Sequence, residues 1–282
     1  MKARLFSLFI LLACMLIQAQ EQAQAQTKAQ AQSQAQNQPQ QSFPYPALPD
    51  TLRSVEQRAG YLSEHYWDNY NFADTLMLKS EEVTEQGFVN FIDILGRFSP
   101  AIAQKGIAGF TRKAFLHAAA KERFESLIEH YFENPQSPLR NDRVYLLFLE
   151  EMKNSPCFDE TEKERIAFKI KTTNKNLPGD IAINFNFKDE NGKSHQLSDY
   201  KDQKVILYFY DPDCENCHKV SAWLKQQTIP ADIKVLKMIA DNHISYIYSL
   251  KNMPTIFLLD KENKVILKDC TAQELIENIS TK

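Results

Sequence analysis

The spacing of apolar residues divides most of the chain into two parts with different periods. Over residues 50–175, apolar residues recur at intervals of three and four, which is typical of amphipathic α-helices. One stripe starts at Leu52 and a second at Val83, and Asp50 is suited to cap the first helix. Further helices are predicted from Ser99-Pro100 onward and at 115–132, 141–152 and 159–171. We therefore predict an all-α helical domain of about six helices packed as antiparallel neighbours.

The period changes after residue 175. Residues 181–187 alternate between apolar and polar side chains, and residues 205–210 form the continuous apolar run of a buried strand. A helix-like stretch covers residues 215–227. The remaining predicted elements are strands at 233–240, 255–259 and 264–268 and a closing helix at 272–279. We therefore predict an α/β domain over residues 176–282, in which a mixed sheet is flanked by helices.

Residues 1–49 lack the pattern of a folded domain. A short positive region, Met1–Arg4, precedes the apolar run Leu5–Ile17, which is shorter than the roughly 20 residues of a membrane span. We predict a signal peptide over residues 1–19 and therefore an exported, periplasmic protein. An alternative is a lipid anchor, because Cys14 ends a Leu-Leu-Ala-Cys sequence that resembles a bacterial lipobox. Residues 20–49 are rich in Gln and Ala and then in Pro, and we predict a linker there.

The strongest chemical signal is a pair of cysteines, Cys214 and Cys217, directly after the apolar run 205–210. Residues three positions apart lie on the same face at the start of a helix, so the two thiols can close a small disulfide ring. The helix N-terminus stabilises a thiolate through its unpaired N–H groups and its dipole. We therefore predict a redox-active disulfide in which Cys214 attacks and Cys217, one turn deeper, is the resolving thiol.

This order of elements, with a C-x-x-C before a helix and a Pro-Thr opening a later strand, resembles the thioredoxin fold. More narrowly, it resembles the TlpA-like secreted thiol:disulfide oxidoreductases. The helical part resembles the uncharacterised domain that precedes such modules in some exported bacterial proteins. The residues that carry the thioredoxin resemblance are Leu177–Asp180, Gly192-Lys193, Leu197–Lys201, Cys214–Cys217 and Met253–Asp260.

The resemblance implies substrate-binding roles for Met253 and Pro254. Pro254 is expected to follow a cis peptide bond and to face the redox disulfide, and Met253 to pair its backbone with an extended substrate chain. The implied activity is disulfide exchange with exported proteins or small thiols, with electrons from an unidentified membrane donor. The implied chemistry needs no cofactor and no metal.

The chain departs from the family pattern near the cysteines. Tyr208 occupies the position of a buried acid that serves the resolving thiol in many thioredoxins, and Asp213 replaces the usual tryptophan. Residues 242–253 leave little room for the helix that normally precedes the proline. Asp211, Asp213 and Glu215 surround the first cysteine with negative charge, which raises a thiol pKa. A less stable thiolate favours the disulfide form, so we predict a reducing protein.

Two other functions are compatible with the sequence. Cys214–His218 also reads as C-x-x-C-H, the attachment signature of a c-type haem. His218 would then be the proximal ligand, and Met238, His243 or Met253 the distal one. The second alternative is a non-catalytic scaffold in which the helical domain holds a partner.

Other signals limit the function further. The net charge is −3, with 33 Lys and Arg against 36 Asp and Glu, and no basic face points to a nucleic-acid partner. A peroxidase of this fold would carry a threonine shortly before its reactive cysteine, and residues 210–213 contain none. Cys157 and Cys270 remain, and the sequence leaves open whether they pair.

Overall fold

A computed structural model describes residues 42–188 and 192–280 of the chain. The predicted signal peptide 1–19, with Cys14, and most of the predicted linker 20–49 lie outside the described residues. None of the described helices combines the length and the apolar character that crossing a membrane requires.

The first half of the described chain is helical, as the three- and four-residue spacing predicts. Serine and aspartate caps set several of the helix starts, with Ser54 and Asp159 in capping boxes and Ser99 ahead of Pro100 at the first helical position. The helices are α1 (Val55–His65), α2 (Thr75–Lys79), α3 (Gln86–Arg97), α4 (Pro100–Ala114), α5 (Ala118–Glu133), α6 (Asp142–Asn154) and α7 (Glu160–Thr173). The short α2 was not predicted, and the stripe from Val83 begins in a π-helical segment, Glu81–Glu85, rather than in α3.

The helical half has its own aromatic core. Tyr66 and Trp67 are almost fully buried there, and Phe110 and Phe124 pack against Trp67 with ring centroids 5.1 and 5.2 Å away. Phe43, within the predicted linker, is also buried in this core, with its ring centroid 4.8 Å from that of Tyr66. The packed structure therefore begins before Asp50, where we expected it to start.

The second half is a sheet with helices, in the predicted order. Its four-stranded sheet has the order β4-β3-β5-β6, in which β3 is parallel to β4 and antiparallel to β5. A separate antiparallel hairpin joins β1 and β2. The elements are β1 (Asn186–Lys188), β2 (Ser194–Gln196), a 3₁₀ turn (Leu197–Tyr200), β3 (Lys204–Tyr210), α8 (Glu215–Leu224), β4 (Ile233–Ile239), α9 (Asn242–Tyr248), β5 (Thr255–Leu259), β6 (Val265–Leu267) and α10 (Ala272–Ser280).

The central strand β3 is buried on both faces, which explains its continuous apolar sequence. Leu207 and Phe209 face one hydrophobic cluster, while Ile206 and Tyr208 face another that includes Leu275 of α10. Because both faces are packed, the C-terminal end of β3 is a rigid point from which the chain turns into α8.

One predicted detail of this half differs from the structure. Residues 181–187 were expected to form one strand, but β1 starts only at Asn186, and Ile181 makes an isolated bridge with Lys264. A side chain interrupts the ladder there, because the N–H of Ile183 donates to Oδ1 of Asn176 over 2.8 Å. The helix before Pro254 is present as the short α9, in agreement with the limited length available.

Partly buried ion pairs join the two halves. Arg140 donates to Oδ2 of Asp269 at 3.0 Å, and Lys268 pairs with Asp142 at 2.8 Å. Lys268 also donates to the carbonyl oxygen of Thr173. The side chains of Lys268 and Asp142 are only 7% and 9% exposed, so these charges depend on one another for solvation.

Candidate active site

Cys214 and Cys217 form a disulfide at the N-terminus of α8. Cys214 is the N-cap residue, and its Sγ accepts a hydrogen bond from the backbone N–H of Cys217 at 3.0 Å. Cys214 is partly exposed, whereas Cys217 is 2% exposed. This asymmetry makes Cys214 the sulfur that a partner can reach and Cys217 the sulfur held behind it.

The loop that carries Met253 and Pro254 lies against this disulfide. The carbonyl oxygen of Met253 is 3.6 Å from Sγ of Cys214, and the Met253–Pro254 peptide bond is cis, as the family resemblance implies. Both residues are partly exposed, and β5 begins directly after them. The structure thus brings together the four residues that the sequence singles out.

The three acids near Cys214 are exposed, and the carboxylates of Asp211 and Glu215 have partners other than the cysteine. The carboxylate of Asp211 accepts from the N–H of Asp213 at 2.8 Å, and Glu215 pairs with Lys219 at 2.7 Å. Exposed charges act weakly across water, so the three carboxylates affect the Cys214 sulfur less than their spacing in sequence suggests.

Tyr208, at the position of the missing buried acid, lies beneath the redox pair. Its hydroxyl donates to the carbonyl oxygen of Cys217 at 2.9 Å and accepts from Oγ of Ser221 at 3.1 Å. Burial raises the pKa of Tyr208, while the Ser221 hydrogen bond partly opposes this rise. The hydroxyl therefore stays protonated and can position the backbone around Cys217, but it does not serve as a base near neutral pH.

Several residues that a c-type haem would use have other contacts in the structure. A c-type haem needs both cysteine sulfurs for thioethers, and here the two sulfurs are joined to each other. Nε2 of His218 lies 2.8 Å from the carbonyl oxygen of Pro212, and Met238 is 3% exposed within the core. No cluster of three or more His, Cys, Asp or Glu side chains suited to a metal occurs among the described residues.

Cys157 and Cys270 are separate free thiols. Cys270 lies at the sheet edge, where its Sγ is 3.6 Å from the carbonyl oxygen of Ile256. Burial, followed by the nearby charge of Glu274, raises the pKa of Cys270 to about 12. Cys270 is therefore a poor nucleophile beside the reactive pair.

A groove of about 450 Å³ opens beside the C-x-x-C motif and was not predicted. Asn216 and Val220 of α8 line it together with Met253 and Pro254. A loop of the helical half, 134–136, also lines the groove. The sequence marks this loop as a break between helices, but no local signal indicates that it lies at the reactive centre. A larger cavity, of about 700 Å³, has no lining residue from α8 or from Met253-Pro254.

Comparison with protein families divides the chain between two domains. A domain of unknown function, DUF5106, matches residues 17–176, and the AhpC/TSA family matches residues 178–268. A comparison with curated proteins finds no match.

Solved structures extend this similarity to nearly the whole described chain. The crystal structure of a thioredoxin-like protein from Bacteroides caccae is 30% identical, with a TM-score of 0.73, over 85% of this chain and 98% of that chain. The thioredoxin domain of a thiol-disulfide oxidoreductase from Bacteroides vulgatus is 17% identical, with a TM-score of 0.30, over 37% of this chain and 96% of that chain. An exposed lipoprotein thioredoxin from Streptococcus pneumoniae is 19% identical, with a TM-score of 0.30, over 36% of this chain and 100% of that chain.

Proposed function

The chain belongs to the thioredoxin-like proteins in which a DUF5106 domain precedes an AhpC/TSA-family domain, and on this basis we propose that it is an exported thiol:disulfide oxidoreductase. It exchanges disulfides with exported proteins or small thiols through Cys214 and Cys217. The observation that carries the proposal is the position of Sγ of Cys214, at a helix N-terminus and 3.6 Å from the Met253 carbonyl oxygen.

The reaction proceeds by two exchanges. In the reduced protein, the Cys214 thiolate attacks one sulfur of a substrate disulfide, forms a mixed disulfide and releases the other substrate sulfur as a thiolate. The Cys217 thiolate then attacks Sγ of Cys214 and releases the second substrate thiol. The substrate gains two electrons, and the protein is left with the Cys214–Cys217 disulfide, which a donor dithiol must reduce again.

We further propose that the protein works as a reductant. The neighbouring acids disfavour a thiolate at Cys214, although their exposure weakens this effect. Among the described residues, the polar neighbours of this sulfur are the Cys217 N–H and the Met253 carbonyl, and no cation contacts it. A thiolate without a cationic partner is less stabilised than one paired with Lys, Arg or His⁺, and this favours a lower reduction potential.

Export and the source of electrons are parts of the same proposal. A signal peptide over residues 1–19 would deliver the protein to the periplasm, and a lipid at Cys14 is the alternative form of delivery. A membrane protein with a reactive dithiol would then supply electrons. The export claim is tested by the N-terminal sequence and mass of the mature protein from the native host, since cleavage after residue 19 and lipidation of Cys14 give different masses.

The activity is tested with insulin as a protein disulfide and dithiothreitol as the donor. The wild-type protein should accelerate insulin reduction, and Cys214→Ser should lose this acceleration, whereas Cys157→Ser should retain it. In a reaction without dithiothreitol, the reduced Cys217→Ser variant should accumulate a mixed disulfide with insulin, because the resolving thiol is missing. A wild-type protein without activity would reject the proposal, and partner binding retained by Cys214→Ser without any change of phenotype would favour the scaffold alternative.

A further inference from the structure

The groove at the redox centre is built from both halves of the chain. Asn216, which lies between the two cysteines in sequence, lines the groove together with Met253 and Pro254, and so do Asn134, Pro135 and Gln136, which follow α5. A substrate that fills this groove next to Cys214 would touch the helical half as well as the thioredoxin-like half.

Two consecutive turns give the loop after α5 a defined shape. The N–H of Ser137 donates to the carbonyl oxygen of Asn134, and the N–H of Arg140 donates to that of Ser137, both at 3.1 Å. Pro135 and Pro138 each occupy the second position of a turn, where the fixed φ of proline is favoured. Oδ1 of Asn134 also accepts from the N–H of Gln136 at 3.0 Å. The loop can therefore act as a fixed wall of the groove.

Ion pairs hold the end of this loop against the thioredoxin-like half. Arg140 follows the second turn, and its guanidinium donates to both the carbonyl oxygen and Oδ2 of Asp269, at 3.2 and 3.0 Å. Asp269 and its neighbour Cys270 themselves line the groove. The loop is thus attached directly to the segment that it faces.

The lining of the groove is suited to an extended polypeptide. Among the described residues, the side-chain amides of Gln136, Asn216 and Asn252 have no hydrogen-bond partner in the protein. A carboxamide both donates and accepts, so it can pair with peptide N–H and C=O groups whatever the side chains of the substrate. Pro135 and Val220, both partly exposed, supply apolar surface in the same lining. The one acid in the lining, Asp269, is already paired with Arg140.

We propose that the Asn134–Gln136 loop of the helical half is a substrate-binding element, which contacts the main chain of a polypeptide that presents its disulfide to Cys214. This inference rests on the proposed oxidoreductase function and adds the role of the helical half. Contact between this loop and the substrate main chain makes the protein selective for disulfides within polypeptide segments over small disulfides that lack peptide groups.

The test compares two substrates in single turnovers of the fully reduced, full-length protein. One substrate is insulin, and the other is bis(2-hydroxyethyl) disulfide, which has no peptide group. Gln136→Ala should lower the second-order rate constant with insulin by about three- to tenfold, the effect of one net hydrogen bond. Gln136→Trp should lower it further by filling the groove. Both variants should keep the wild-type rate with the small disulfide, and Gln86→Ala, an exposed change on α3 of the same half, should leave both rates unchanged.

The outcomes separate this inference from the proposed function. Wild-type rates with insulin in both Gln136 variants would overturn the role of the loop and leave the oxidoreductase function intact. An equal fall with both substrates would also overturn it, because the effect would then lie at the cysteines. A reduced wild-type protein that reacts with neither substrate would overturn the proposed function and this inference together.

Discussion

The hydroxyl of Tyr208 donates a hydrogen bond to the carbonyl oxygen of Cys217 over 2.9 Å. This bond ties the central strand β3 to the first turn of α8, directly beneath the redox pair. Tyr208 is 2% exposed, and burial raises its pKa, so the hydroxyl remains a donor throughout the neutral range. A position that holds an acid in many thioredoxins thus serves here to hold the backbone of Cys217.

Replacing Tyr208 with Phe should destabilise the protein. The ring would keep its packing, but the Cys217 carbonyl and the Ser221 hydroxyl would lose a buried partner, at a cost of about 1–2 kcal/mol. Urea unfolding of the oxidised protein measures the loss. Tyr246→Phe is the control, because Tyr246 is 59% exposed and its change should have little effect. Equal stabilities of the two variants would contradict a structural role for the Tyr208 hydroxyl.

Asp142→Asn should weaken the connection between the two halves. Asp142 pairs with Lys268 at 2.8 Å and with Arg140 at 3.3 Å; its neutralisation leaves the buried Lys268 without a carboxylate partner, whereas Arg140 keeps Asp269. We expect a loss of about 3 kcal/mol in the free energy of unfolding, measured by urea denaturation. Asp93→Asn removes the partner of the exposed Arg97 and should change stability little. Similar losses in both variants would show that burial of the Asp142 pair has no energetic effect.

Two glycine-to-alanine substitutions should change the stability of the protein in opposite directions. A methyl group on Gly87 would overlap the ring of Phe43, whereas one on Gly60 would meet nothing within 4 Å. Gly60→Ala should therefore stabilise α1 by about 0.5–1 kcal/mol, the usual helix-propensity gain. Gly87→Ala should destabilise the protein by about 1–3 kcal/mol through overpacking. Thermal unfolding measures both, and a stabilised Gly87→Ala variant would show that Phe43 is not firmly packed in the helical core.

Cys270 should resist alkylation in the native, reduced protein. With its pKa raised to about 12, less than about a thousandth of this thiol is ionised at pH 8.5, whereas an unfolded thiol with a pKa near 8.5 is about half ionised. The thiolate is the reactive form, so the rate should rise about tenfold for each pH unit below 12. Mass spectrometry after iodoacetamide treatment measures the rate, with the same reaction in urea as the reference. Equal native and unfolded rates would contradict the raised pKa of the partly buried Cys270.

Local sequence signals predict most of the elements, and they predict that Cys214 and Cys217 lie at the start of a helix. Ser99-Pro100 marks the start of α4 because capping and the fixed φ of proline act within one turn. The apolar run at 205–210 marks β3 because a strand covered on both faces needs apolar side chains at every position. The C-x-x-C motif can be identified from sequence because its geometry depends only on a helix that begins at Cys214.

The features that local signals miss depend on contacts between distant residues. The role of Phe43 depends on the space left by Gly87 in α3, and the position of the 134–136 loop depends on Arg140 reaching Asp269, 129 residues later. The strand predicted from residue 181 does not form for a similar reason, because the N–H of Ile183 donates to the side chain of Asn176. None of these partners can be identified from the spacing of apolar residues.

A redox titration of Cys214 and Cys217 tests the central claim most directly. The full-length protein is equilibrated in glutathione or dithiothreitol buffers of defined potential, and the free thiols are alkylated and located by mass spectrometry. Both sulfurs should pass together from dithiol to disulfide in one two-electron transition, at a potential nearer to about −270 mV than to about −120 mV. A midpoint near about −120 mV would contradict the reducing direction alone. Two sulfurs that stay in one state across the whole range would contradict the oxidoreductase itself.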